Sequence, residues 1–313
     1  MPMNKGARIA IESALNVQKG ESVLIITDTG KEKIAESLFD AAADVGAEPV
    51  VVKMLPRKRH GEEPPKVIAN MMLDAQVILG VTTFSFSHTQ ARRNATRAGA
   101  RIATMPGISE DMMTDGAMLA DYREIERTMR RLYRKLRGAK RIEVYSDQGT
   151  DLTLRVARRD WITDDTGICH KKGAFTNLPA GELFIAPIEG NAEGKLIVDG
   201  SFFEILDEPA TVHIKEGVAT RIIGAKSAVA EMNKGGREGR FVCEFGMGLN
   251  PRARVIGNFL EDAKVLGTAH ISFGDNSTFG GRIKCGIHVD ALMRKPRVIV
   301  DNRLVLEDGE LKI

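Results

Sequence analysis

The first third of the chain repeats one pattern, a short apolar run followed by a longer amphipathic segment. Residues 22–27 are nearly all apolar, as expected for a strand buried on both faces. Residues 31–45 are amphipathic and stop before Gly46, a typical helix end. Further strands are predicted over 75–81 and 100–104. Repeated strand–helix–strand units fold into an open, mostly parallel sheet with flanking helices, so an α/β fold is predicted.

The pattern changes after a long helix predicted over 117–137. Glycine rises from 9 residues in 1–137 to 22 in 138–313, and the strands become short and bounded by turns. This indicates a mixed, mostly antiparallel α+β architecture. We therefore predict an α/β sheet domain over 1–115, a connecting helix over 116–138 and an α+β metal-binding domain over 139–313. The metal-binding prediction depends on histidines and carboxylates in the last of these segments.

Charge and apolar content exclude several classes of protein. No apolar run approaches 18 residues, so no membrane span is expected. Nine basic residues against two acidic ones lie between 123 and 141, and the rest of the chain has 36 basic and 40 acidic residues. Without base-stacking aromatics this segment is interpreted as a solvated helix face, not a nucleic-acid site. An odd count of three cysteines and no signal-peptide core favour a cytoplasmic protein.

Two histidines and an aspartate have spacing that suits a metal ion. His288 and Asp290 lie two residues apart in a predicted strand, on one face and with Cα atoms about 6.5–7 Å apart. His270 lies in another predicted strand, joined to the first by a link rich in turn formers. Such a trio is the facial triad of non-haem iron and also half of a zinc or cobalt hydrolase site. The alternative is that His270 is a hydrogen-bonded core histidine and His288 lies beside a turn, and spacing alone leaves both interpretations open.

Two glutamates interrupt apolar segments. Glu182 begins an apolar run, and Glu244 lies between Cys243 and Phe245. A carboxylate is costly to bury unless it is paired or coordinated, although each could instead face solvent from a strand. Asp275, in the link between the histidines, is a candidate acceptor that fixes a histidine tautomer.

Taken together, these segments resemble the thermophilic metallo-aminopeptidases of the aminopeptidase T and S type. That superfamily also contains 2,5-dihydroxypyridine 5,6-dioxygenase. The resemblance covers roughly residues 175–292 and is carried by four motifs in one order: Asn-Leu-Pro-Ala-Gly-Glu-Leu-Phe at 177–184, Glu-Phe-Gly at 244–246, His-Ile-Ser-Phe-Gly at 270–274 and His-Val-Asp at 288–290.

The two branches imply different metal centres. The peptidase branch implies two divalent metals (zinc, cobalt or manganese), a glutamate such as Glu182 as general base or bridge, and a full ligand set of Glu182, Glu244, His270, His288 and Asp290. The dioxygenase branch implies a single Fe(II) held by His270, His288 and Asp290. The resemblance also suggests a homodimer.

One departure concerns the residue seven positions after His270. Peptidases of this family carry a tyrosine there that is thought to stabilise the transition state, and here the position is Ser277, the candidate catalytic residue. The chain has three tyrosines and none beyond Tyr145. A serine hydroxyl is too short to replace a phenol, which counts against peptidase chemistry.

The function predicted from the sequence is a metal-dependent exopeptidase-type hydrolase that acts on a small molecule or short peptide. The two alternatives are a mononuclear Fe(II) ring-cleaving dioxygenase and a non-catalytic metal-binding scaffold.

Overall fold

The structure, a computed structural model, describes residues 3–312. Its eight α-helices are α1 Met3–Arg8, α2 Glu32–Asp44, α3 Lys66–Asp74, α4 Gln90–Ala98, α5 Glu110–Asp115, α6 Tyr122–Leu136, α7 Lys226–Lys234 and α8 Phe259–Asp262. Shorter turns of other helix types occupy Ile9–Ala14, Ala117–Leu119 and Glu238–Arg240. None of the helices over residues 3–312 combines the length and apolar character needed to span a bilayer.

The strands form three sheets. In chain order they are β1 Ser22–Asp28, β2 Glu48–Met54, β3 Val77–Val81, β4 Arg101–Thr104, β5 Arg141–Tyr145, β6 Asp151–Arg155, β7 Phe175–Asn177, β8 Glu182–Ile185, β9 Ala192–Val198, β10 Ser201–Phe202, β11 Glu204–Ile205, β12 Ala210–Lys215, β13 Val218–Ile223, β14 Val242–Gly248, β15 Ala269–Gly274, β16 His288–Met293, β17 Arg297–Val300, β18 Arg303–Glu307 and β19 Glu310–Leu311.

The chain divides into two compact units. One comprises residues 1–126 and 164–180, and the other comprises residues 127–163 and 181–313. The first contains a parallel sheet of order β2-β1-β3-β4-β7. Its central strands β3 and β4 are buried along their whole length, as the continuous apolar runs predicted. The predicted α/β sheet with flanking helices is therefore confirmed.

Helix ends in the first unit follow local chemistry. Gly46 adopts φ +83° just after α2, which ends the helix close to the predicted position. The prediction of one long helix over 117–137 is wrong in one respect, because a short helical turn at Ala117–Leu119 ends before α6 begins at Tyr122. Asp121 Oδ1 accepts hydrogen bonds from the main-chain N–H groups of Arg123 and Glu124, so it caps a new helix instead of continuing the preceding turn.

The second unit is built from antiparallel sheets, as its glycine-rich sequence predicted. One has the order β13-β12-β9-β6-β5-β17-β18-β19. The other has the order β11-β10-β16-β15-β14-β8 and places β14, β15 and β16 side by side. These three strands and β8 carry all five predicted metal ligands.

Candidate metal centre

Strand register puts the predicted ligands on one face of the sheet. Ser272 of β15 lies opposite Asp290 of β16, and Gly274 lies opposite His288. Directly opposed residues share a face, and so do residues two apart on one strand. His270 therefore projects from the same face as His288 and Asp290, as their spacing had suggested.

A β-bulge brings Glu244 to this face. Val242 pairs with Phe273, but Glu244 pairs with Ser272, so the register between β14 and β15 shifts by one residue at Cys243. Without the shift, Glu244 would lie opposite Ile271 and point to the other side of the sheet, because strand side chains alternate. A bulge re-aims a side chain in this way at many functional sites.

Glu244 lies between two imidazoles. Its Oε1 is 3.0 Å from His270 Nε2, and its Oε2 is 3.7 Å from His288 Nε2. Asp290 Oδ1 is 3.2 Å from His288 Nε2, and Glu182 Oε2 is 3.4 Å from His270 Nε2. The structure thus brings together all five residues that the sequence predicted as ligands.

The cluster is buried at one side and open at the other. The His270 side chain is fully buried, and those of Glu182 and Glu244 are nearly so. The His288 side chain is 35 % exposed and that of Asp290 is 16 % exposed. A small molecule from solvent therefore meets the cluster at His288 and Asp290.

The donor set fits a divalent cation. Ligand atoms of Glu182, Glu244 and His270 all lie within 4.8 Å of one another. Glu182 Oε2 is buried and accepts no hydrogen bond from any described residue, an arrangement that is costly unless a cation compensates it. Imidazole nitrogens and carboxylate oxygens are ligands that suit divalent transition metals. The prediction of a divalent metal site is confirmed to this extent.

The pKa shifts of Glu244, His270 and His288 are all upward, so these residues attract positive charge. Burial, together with the nearby charge of Glu182, raises the pKa of Glu244 despite the lowering effect of its imidazole neighbours. Burial alone would lower the pKa of His270, but the hydrogen bond with Glu244 and the charge of Glu182 outweigh it and raise that pKa. Burial would likewise lower the pKa of His288, yet its contacts with Cys243 and Asp290 hold it well above the usual value. A cation that binds here replaces protons on the imidazoles.

Polar neighbours orient two of the ligands. Ser272 Oγ donates to Asp290 Oδ1 at 2.7 Å. The main-chain oxygen of Asp275 lies 3.2 Å from His288 Nδ1, which favours a proton on Nδ1 and leaves Nε2 for a metal. The acceptor predicted at Asp275 is thus its carbonyl oxygen. Its carboxylate instead accepts hydrogen bonds within the loop, including those from the main-chain N–H groups of Cys285 and Gly286.

Gly246 provides the space that the His270 ring occupies. A Cβ atom at Gly246 would lie 2.2 Å from His270 Nε2 and Cε1, far inside van der Waals contact. The glycine is directly opposite the histidine in the β14–β15 register. The Glu-Phe-Gly motif at 244–246 contains this residue, but no pattern in the sequence indicates its role, which depends on the neighbouring strand.

Lys264 is the functional candidate that sequence reasoning missed. Its Nζ lies 2.5 Å from Glu182 Oε1, and both side chains are buried. Lys264 lies in the segment between α8 and β15, where the sequence predicts that a charged residue is exposed to solvent. No local pattern in the sequence distinguishes it from an ordinary surface lysine.

Ser277 lies in the loop between β15 and β16 and is exposed. Its hydroxyl donates to Asp275 Oδ1 at 2.7 Å and so helps to close the loop. The structure does not bring it together with the ligand cluster, and its catalytic role stays a prediction. The same loop carries Phe279, whose ring meets those of Phe184 and His288 edge-on at centroid distances of 5.5 and 6.0 Å.

Comparison with solved structures places this fold among known proteins. The chain superposes on the 2,5-dihydroxypyridine dioxygenase of Pseudomonas putida KT2440 with a TM-score of 0.82, 19% identity and coverage of 99% of this chain and 96% of the other. It superposes on AmpT of Thermus thermophilus with a TM-score of 0.70, 16% identity and coverage of 100% and 99%. At these identities the two likenesses establish the fold.

Sequence comparison separates the two branches. A curated 2,5-dihydroxypyridine 5,6-dioxygenase of Pseudomonas putida is 27% identical over 194 residues, which are 56% of this chain and 55% of that protein. The match thus spans about half the length of the curated relative. The family model described as 2,5-dihydroxypyridine 5,6-dioxygenase matches residues 11–313.

The prediction of an aminopeptidase-like hydrolase, with proteolysis as its role, is therefore wrong. The resemblance implied His270, His288 and Asp290 as ligands in both branches, so these residues could not decide between them, and the departure at Ser277 was the better guide. The match over nearly the whole chain, with an intact buried cluster of imidazoles and carboxylates, shows that this chain belongs to the 2,5-dihydroxypyridine 5,6-dioxygenase family.

Proposed function

We propose that the chain is a mononuclear Fe(II)-dependent dioxygenase that cleaves the ring of a dihydroxylated nitrogen heterocycle. The observation that carries this proposal is the family match over residues 11–313. The curated relative is named for action on 2,5-dihydroxypyridine at positions 5 and 6, and that ring is the first substrate to test.

His270, His288 and Asp290 would hold the iron. Two imidazoles and one carboxylate are the ligand set of non-haem iron oxygenases, and such a set would leave room at the iron for substrate and O₂. When bound, ferrous iron supplies the one-electron chemistry that lets O₂ react with an organic ring. The partial exposure of His288 and Asp290 supports entry of substrate from their side.

Aromatic side chains and an acceptor oxygen would bind the substrate. Phe279 lies beside His288 and packs against Phe184, so the two phenylalanine rings offer apolar surface to a flat ring. Glu182 Oε2, which is buried and accepts no hydrogen bond from any described residue, would accept the proton of a ring hydroxyl. Lys264 on the other oxygen holds the Glu182 carboxylate in place.

Oxygen uptake tests the proposal. We expect anaerobically purified protein loaded with Fe²⁺ to consume O₂ when 2,5-dihydroxypyridine is added, with loss of the ring absorbance in step. His288→Ala should lose both iron and oxygen uptake. His213→Ala, on β12 of the same unit and outside the cluster, is the matched control and should retain both. Iron-loaded protein that consumes no O₂ with any dihydroxylated pyridine would refute the proposal.

A further inference from the structure

Lys264 is a buried cation that contacts the metal cluster through the Glu182 carboxylate. Its side chain is 5 % exposed, and its Nζ is 2.5 Å from Glu182 Oε1. The other oxygen of Glu182 points to His270 Nε2 at 3.4 Å. One carboxylate therefore faces the ligand cluster with one oxygen and an ammonium group with the other.

Charge balance indicates how many metal ions the cluster accepts. Glu182, Glu244 and Asp290 bring three negative charges, and Lys264 brings one positive charge. One divalent cation makes the sum zero when the imidazoles are neutral, as metal ligation requires. Two divalent cations would leave an excess of two positive charges in a buried site, which is strongly unfavourable.

The geometry agrees with the charge count. Paired metal ions in dinuclear centres lie about 3.5–4 Å apart and share carboxylate oxygens. A second cation that used Glu182 Oε1 would need the position that Lys264 Nζ occupies. We propose that Lys264 is the residue that restricts this centre to one divalent metal ion, its ammonium group standing where a second metal would bind.

This inference deepens the proposed function, since it takes the cluster as a metal centre, but its test does not depend on turnover. The readout is metal stoichiometry after saturation with Mn²⁺, measured by elemental analysis and by electron paramagnetic resonance. The wild-type chain should bind one Mn²⁺ with the spectrum of an isolated ion. Lys264→Met and Lys264→Ala should bind close to two, with the spectrum of a coupled pair.

Three variants control for charge and folding. Lys264→Arg keeps the positive charge and should stay at one ion. The double variant Lys264→Met/Glu182→Gln removes both charges of the ion pair. Two carboxylates, Glu244 and Asp290, then remain to balance one divalent ion, so this variant should also bind one Mn²⁺. Arg101→Met, which removes a buried cation from the first unit, should leave the count unchanged. Circular dichroism checks that each protein is folded.

Two results would overturn the inference: a wild-type chain that binds two Mn²⁺, or folded Lys264→Met protein that stays at one ion or binds none. Where the single variant does not fold, a count of two in the double variant would overturn it as well. A chain with these metal counts but no oxygen uptake would refute the proposed function and leave the role of Lys264 standing.

Discussion

Each of the two units contains a buried ion cluster, and the two clusters differ in how they are balanced. In the first unit Arg101 donates to both carboxylate oxygens of Glu21, at 2.9 and 2.6 Å, and to the main-chain oxygens of Leu15 and Asn16. In the second unit the cluster contains three carboxylates, of which Glu182 pairs with Lys264, and one buried oxygen of Glu182 accepts no hydrogen bond from any described residue.

This difference separates a structural ion pair from a ligand site. The Arg101–Glu21 pair has equal and opposite charges with well-directed hydrogen bonds, so nothing further is needed to stabilise it. The second cluster has an excess of hydrogen-bond acceptors and of negative charge. Bound protons or a bound cation must therefore neutralise it. A buried cluster whose charges are not balanced by its own residues is therefore the better candidate for a metal or catalytic site.

The largest effect on metal binding is expected from Gly246→Ala, which disturbs the metal cluster of the second unit without removing a ligand. The new methyl group would collide with the His270 ring at 2.2 Å and displace Nε2, so we expect metal binding and oxygen uptake to be lost. Overpacking of this kind also costs about 1–3 kcal/mol of folding stability. Metal analysis of the folded variant is the measurement.

Gly309→Ala serves as the control for this substitution. Its φ of +81° makes an alanine strained, but its added Cβ meets nothing within 4 Å, so metal binding should be unchanged. Gly246→Ala protein that still binds metal at wild-type affinity would show that the His270 ring can move aside freely, against the close packing described above.

A smaller effect, on stability alone, is expected from Arg101→Met in the first unit. Removing one partner of a buried ion pair deprives the Glu21 carboxylate of its main hydrogen-bond donor and should cost about 3 kcal/mol in the free energy of unfolding. Metal content should not change. Urea unfolding gives the stability, and a loss of metal in this variant would mean that the two clusters are not independent.

The same pair also predicts a dependence on pH. The hydrogen bond from Arg101 lowers the pKa of Glu21 below its usual value. A lowered pKa in the folded state adds stability above the unfolded pKa of about 4.3, and that stability is lost as the pH falls through the folded pKa. The stability gap between wild type and Arg101→Met should therefore be full above about pH 5 and narrow at more acidic pH. A gap that widens on acidification would contradict this.

The smallest effect is expected from Ser272→Ala, which removes a hydrogen bond to one ligand. Without the bond to Asp290 Oδ1 the carboxylate loses its fixed orientation, and metal affinity should fall about 10–100-fold. Ser272→Thr retains a hydroxyl and should recover part of the loss. Titration with Mn²⁺ gives the affinities, and equal affinities for Ser272→Ala and wild type would remove Ser272 from the centre.

Much of the fold could be predicted because its signals are local. The apolar runs that became β1, β3 and β4, and the helix end at Gly46, depend on residues next to one another in the chain. The break before α6 was missed because an amphipathic pattern continues across it, and the capping contacts of Asp121 override that pattern.

The site was predictable in its residues but not in its geometry. His288 and Asp290 share a face because strand side chains alternate, a rule that needs only the sequence. The position of Glu244 depends on a bulge between β14 and β15, and that bulge is a property of two strands together. The ligands alone also could not separate hydrolase from dioxygenase, because both branches use the same residue types.

The sequence by itself determined the parallel sheet, the antiparallel region and the five candidate ligands, because periodicity and motif order are written along the chain. Only the tertiary structure decided the register that turns Glu244 inward, the space that Gly246 leaves for His270 and the contact of Lys264 with Glu182. The physical reason is that charge balance and close packing depend on groups far apart in the chain, such as residues 182 and 264.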